Sequence, residues 1–159
     1  MWFFLPQLLA VATGVVAATA AFMSVIPGYS RRAWIGVAVA TATWAGSLAI
    51  SPRGGNADPA AAASVTPEWV CVVMILVTGL PLIAVLGRLL RHGAPLNPSL
   101  TGALSALAVG ALANIGACIS HPHTDNAVTL VWHGVTIAAL VIACTVGTPF
   151  VLRWAHERR

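Results

Sequence analysis

Five stretches of this chain contain no Asp, Glu, Lys or Arg: residues 1–30, 33–52, 69–87, 93–124 and 126–152. Each is about as long as the roughly 20 apolar residues a membrane-spanning helix needs. In hydrocarbon every backbone N–H and C=O must be satisfied within the protein, so such runs fold as helices. Spans are read near Trp2–Ile26, Ala33–Ile50, Pro67–Leu90, Leu100–Ile119 and Ala127–Trp154. Composition agrees: 58% of residues are hydrophobic and 8% charged, with a mean hydropathy of +0.88, values outside those of a soluble domain. The expected fold is an all-α polytopic bundle of five transmembrane helices, with residues 1–159 as a single transmembrane domain.

All eight basic residues are arginine, and seven lie in three places: Arg31 and Arg32; Arg88 and Arg91; Arg153, Arg158 and Arg159. These are alternate loops. The positive-inside rule makes them cytoplasmic, leaving the N-terminus, the loop after Ile50 and the loop after Ser120 outside. The topology is N-out and C-in, and only Arg53 disagrees. The formal charge of +4 is thus spread over three short turns as a topology signal. Direct nucleic-acid binding is set aside.

Small residues recur at four-residue spacing: Ala10, Gly14 and Ala18 in the first span, and Gly102, Ala106 and Gly110 before a polar Asn114 in the fourth. In lipid such residues let helices approach closely, so compact packing is expected there. Pro27-Gly28 ends the first span. Thr66-Pro67-Glu68 opens the third with a capping residue, a proline at the first helical position and an acid in the first turn. Pro81 sits mid-helix after Gly79, where a kink is expected. Trp2, Trp34, Trp69, Trp132 and Trp154 fit interfacial belts, and Trp44 the interior.

One stretch breaks the apolar monotony. GACISHPHTDNAVTLVWHG, residues 116–134, brings together Cys118, His121, His123, Asp125 and His133. The predicted topology puts this cluster at the outer end of the bundle, level with Cys71 and Glu68 at the start of the third span. Thiol, imidazole and carboxylate at one level suit a soft or borderline divalent metal ion. The same loop also serves as a solvated connection between two helices with no ligand at all. His133 argues most for function, since a polar group inside a span is usually paired or functional. Of the three cysteines, Cys144 lies about 16 Å deeper than His133 and reads as core packing. That leaves Cys71 and Cys118 as the one pair whose depths allow a disulfide. No phosphate-binding glycine loop, zinc-protease motif or nucleophile with a credible base is present, so the chain is not read as an enzyme.

Residues 71–154 carry a cysteine opening a helix, the RHGAPLNPSLTG link, a small-residue helix, a Cys/His outer loop, VWHG and a closing LRW; PGYSRRAW lies upstream. Together these resemble the NrsF family of multi-pass bacterial inner-membrane anti-sigma factors. The resemblance implies a six-helix protein that holds an extracytoplasmic-function sigma factor inactive and releases it on metal or oxidant stress. It further implies paired sensing cysteines. Cys71 falls on the first, whereas the second position is His121, with Cys118 one turn earlier. The family's first helix and its N-terminal cytoplasmic segment, which holds the sigma factor, have no counterpart here. Either the chain start is internal to the gene product or this copy has lost that binding segment.

The leading reading is a negative regulator of such a sigma factor at the bacterial inner membrane. Sensing or metal ligation falls to Cys71, Cys118, His121, His123 and His133, and the partner-facing surface to Arg31, Arg32, Arg88, Arg91 and Arg153. The partners are the lipid bilayer and the sigma factor; the sequence leaves the oligomeric state open. The alternative is an accessory or structural subunit of a larger membrane complex. A metal-ion carrier is disfavoured, because acidic and histidine residues are missing from the deep parts of the spans.

Overall fold

The computed structural model describes residues 4–26, 28, 33–50, 69–91, 97–120 and 129–156. Five helices account for nearly all of them: α1 Phe4–Met23, α2 Ala33–Ile50, α3 Trp69–Arg91, α4 Pro98–Ser120 and α5 Gly134–His156. A single π-helical turn, Thr129–His133, leads into α5. All five helices are long and apolar enough to cross a membrane, and no strand occurs among the described residues. The Thr66-Pro67-Glu68 start proposed for the third span lies outside them.

The central element is α4. It packs against α1, α3 and α5, while α2 packs mainly on α1. Within its spanning stretch 67% of residues are buried, against 17% in each of α2, α3 and α5. The reason is in its sequence, PSLTGALSALAVGALANIGACIS: small side chains let three neighbours approach, and close van der Waals contact is what holds helices together in lipid. A Cβ on Gly102 would meet Thr148 Oγ1 and the Cys144 carbonyl oxygen, the latter at 2.6 Å. A Cβ on Gly110 would stand 2.9 Å from Ile137 Cγ2. On the other face α1 uses the same device, since a Cβ on Gly14 would lie 3.0 Å from Leu112 Cγ and 3.3 Å from the Ala108 carbonyl oxygen. The spacing of Gly14, Gly102 and Gly110 therefore does mark close packing.

Polar side chains inside the bundle bond mainly to carbonyls. Thr13 Oγ1 donates from α1 to the Ala40 carbonyl of α2 at 3.1 Å. Ser24, just past α1, donates to the Ala21 carbonyl and lies 2.8 Å from Thr101 Oγ1 of α4. Gly28 then takes φ 85°, the left-handed conformation glycine adopts without a Cβ clash. The start of α4 is set by Asn97, whose Oδ1 accepts the Leu100 N–H at 3.2 Å, with Pro98 at the first helical position. This cap starts the helix two residues before the expected Leu100. Trp44 is buried at 7% exposure, as expected, and Trp34 and Trp69 are exposed. Helix α3 runs on through Pro81. The faces of α2, α3 and α5 turned away from α4 carry Val39, Val77, Val85, Val135, Ile142 and Val146, all exposed, as lipid-facing surfaces are.

Contacts fix the relative directions. Leu90 and Leu104 share one cluster and Ile75, Ala113 and Ala117 another, so α3 and α4 are antiparallel. Gly102 faces Thr148 and Gly110 faces Ile137, so α4 and α5 are antiparallel too. Cys71, Cys118 and His133 consequently occupy one end of the bundle, with Arg88, Thr101 and Thr148 toward the other.

Candidate functional site

At the first of these ends two helices are tied by a buried side-chain pair. His133 closes the π-helical turn that leads into α5. Its Nδ1 lies 2.5 Å from Oδ1 of Asn114, and the two residues are 3% and 1% exposed. An amide oxygen only accepts, so Nδ1 carries the proton. In the neutral ring Nε2 then holds the lone pair, the form in which histidine binds metals. The π turn also touches α2 and α3, so four helices converge on this level.

Cys118 follows Asn114 by four residues on α4 and therefore lies on the same helix face; it is buried at 8% exposure. Cys71 sits four residues before Ile75 on α3, about 6 Å further along the axis. Since Ile75 packs between Ala113 and Ala117, antiparallel register brings Cys71 level with the last turn of α4. Its exposure is 1%. Both cysteines are thiols. Both thiols are thus buried at the end of the bundle that also holds the His133 imidazole.

Of the residues expected to form a site, Cys71, Cys118 and His133 are thus brought to one end and enclosed. His121, His123, Asp125 and Glu68 lie outside the described residues, as do Arg31 and Arg32, and nothing is described of the side chains of Arg91 and Arg153. Among the described residues no three His, Cys, Asp or Glu side chains gather into a metal-binding set. Arg88 is exposed near the end of α3. Cys144, read as core packing, instead lies on α5 in the wall of a cleft at the arginine-bearing end.

Asn114, the buried partner of His133, is not among the candidate site residues that the sequence suggests. The available signal was the four-residue step from Asn114 to Cys118, which places an amide on the face that carries a thiol.

Comparison with known proteins returns one family. The family model described as negative regulator of sigma F, NrsF, matches residues 1–154. No curated protein and no solved structure matches the chain. A family match over nearly the whole length, on a bundle of five spanning helices, makes the conclusion plain: the chain belongs to the NrsF family of negative regulators of sigma F.

Proposed function

We propose that this chain is an anti-sigma factor of the bacterial inner membrane that holds an extracytoplasmic-function sigma factor inactive and yields it when metal or oxidant reaches its outer face. The observation that carries the reading is the buried Asn114–His133 pair at the end of the bundle that also holds the buried Cys71 and Cys118, with Arg88 toward the other. The positive-inside rule assigns the arginine end to the cytoplasm. The cluster end then faces the oxidising compartment.

Ligation or oxidation there changes what α4 packs against. A soft cation held by Cys71, Cys118 and the His121–His123 loop would displace thiol protons and draw α3 toward the end of α4. An oxidant such as chromate would take two electrons from the same two thiols, its chromium passing from Cr(VI) to Cr(IV), and two protons leave as the S–S bond forms. In either case one packing of α3 and α4 is favoured over another, which any ligand must do to shift an equilibrium between states. Because α4 is rigidly seated on α1 and α5, the change reaches the cytoplasmic ends where the sigma factor docks. The partner surface includes Arg31, Arg32, Arg88, Arg91 and Arg153.

The test has two arms. Replacing Cys71 and His121 together should abolish the transcriptional response to cadmium and chromate; an unchanged response refutes the sensing role. The chain, expressed from its natural gene, should co-purify with a sigma factor from the same cell, and its consistent failure to do so refutes the regulatory assignment.

A further inference from the structure

Opposite the thiol cluster, α3 and α5 touch only slightly. Between them, floored by α4, lies a cleft of about 490 Å³, in the lower half of the roughly 300–1,000 Å³ range of small-molecule sites. Its α5 wall runs from Leu140 to Val151, about 16 Å at 1.5 Å per residue. Its α3 wall runs from Leu80, the midpoint of the Trp69–Leu90 span, to Arg88 and Leu90 near that span's end. The cleft therefore extends from the bilayer midplane to one surface, a depth of one leaflet, about 15 Å of hydrocarbon.

The walls offer almost nothing polar to an occupant. Ser105 Oγ donates to the Thr101 carbonyl at 2.7 Å, Thr148 Oγ1 to the Cys144 carbonyl at 2.6 Å, and Thr101 Oγ1 pairs with Ser24 Oγ at 2.8 Å. Hydroxyls committed in this way leave few partners for water, which needs two to four. The one charge in the lining is Arg88, at the surface end. A single hydrocarbon chain is the slender, apolar occupant that fits, and a guanidinium at the interface is a bidentate donor for phosphate.

We propose that this cleft binds an anionic phospholipid, with one acyl chain lying along Leu80, Gly102 and Leu140 and the headgroup phosphate against Arg88. Basic pockets between transmembrane helices are established as headgroup sites. Here the apolar groove below the charge adds selection for a chain of one leaflet's length. The lipid would fill the space that keeps α3 and α5 apart, so its presence sets their separation.

The test uses the full chain in detergent, offered equal amounts of phosphatidylglycerol and phosphatidylcholine with identical acyl chains, and read by native mass spectrometry. One phosphatidylglycerol should be retained with about fivefold preference, the factor expected for one arginine–headgroup interaction. Arg88→Gln should remove the preference while leaving chain binding. Gly147 and Gly87 line opposite walls, and a Cβ on either would meet nothing within 4 Å. Gly147→Leu and Gly87→Leu should therefore fill the cleft and lose both lipids with helix content unchanged. Gly36→Leu, on α2 and equally open, should bind as the unmodified chain does. Equal retention of the two lipids by the unmodified chain overturns the proposal. So does undiminished retention in a folded cleft-filling variant, or a dimer that the cleft-filling variant dissociates while lipid binding stays the same.

Discussion

His133 Nδ1 and Asn114 Oδ1 lie 2.5 Å apart in the interior of the bundle, and this contact joins the entry of α5 to the middle of the last turns of α4. Neither side chain has water to fall back on, because both are buried. The pair is thus a polar lock whose halves depend on each other.

Removing one half should cost more than removing both. Asn114→Leu should lower stability in detergent by about 1–2 kcal/mol, since it deprives a buried imidazole of its acceptor. Adding His133→Phe should restore part of that loss. Thermal unfolding of the two single variants and the double variant measures the coupling, and strictly additive losses would show that the contact holds nothing.

Two glycines of α4 should differ in their tolerance of alanine. At Gly102 the added Cβ meets a backbone carbonyl of α5, at 2.6 Å from Cys144 O, whereas at Gly110 it meets the Ile137 side chain at 2.9 Å. A side chain can change rotamer and a helix backbone cannot. Gly102→Ala should therefore cost about 1–3 kcal/mol, more than Gly110→Ala, and Ile137→Val should rescue only the latter. Melting temperatures of the four proteins decide it.

Asn97 should be replaceable by other caps but not by a residue without a side-chain acceptor. Asn97→Ala should loosen the first turn of α4 by about 1 kcal/mol, and Asn97→Asp or Asn97→Ser should not. Hydrogen exchange at the Leu100 amide, which Asn97 Oδ1 accepts at 3.2 Å, reports the difference directly.

Native thiols are poor reporters of orientation, because Cys71 and Cys118 are 1% and 8% exposed. In a chain whose three cysteines are replaced by alanine, Ser120→Cys and Asn97→Cys place a thiol at either end of α4. The arginine distribution predicts that a membrane-impermeant maleimide labels Ser120→Cys in intact cells and Asn97→Cys only after the bilayer is opened. The reverse pattern would place the thiol cluster in the cytoplasm and remove the basis of the sensing proposal.

Much of the fold was legible because lipid imposes a coarse rule. An uncharged run of spanning length has few alternatives to a helix, and α1, α2, α3, α4 and α5 follow the five runs. Glycine spacing in α4 showed where close contact would occur, since small side chains are what close contact in lipid requires. The cap at Asn97-Pro98 is also present in the sequence, two residues ahead of the start that hydrophobic length alone suggests for α4. The site was less legible. Cys71, Cys118 and His133 could be placed at one level by counting along helices, but levels say nothing about which faces meet.

By itself, then, the sequence determined that the chain is a helical membrane protein, how many times it can cross, and which residue types sit at each end, because hydrophobic length and charge act locally along the chain. Tertiary structure alone decided that α4 is the hub, that Asn114 is His133's partner, and that a cleft of one leaflet's depth opens between α3 and α5 beside Arg88. Those outcomes depend on the rotation of each helix about its own axis. That rotation is set by the fit of side chains between helices, a long-range property that an almost uniformly apolar sequence does not encode in its local pattern.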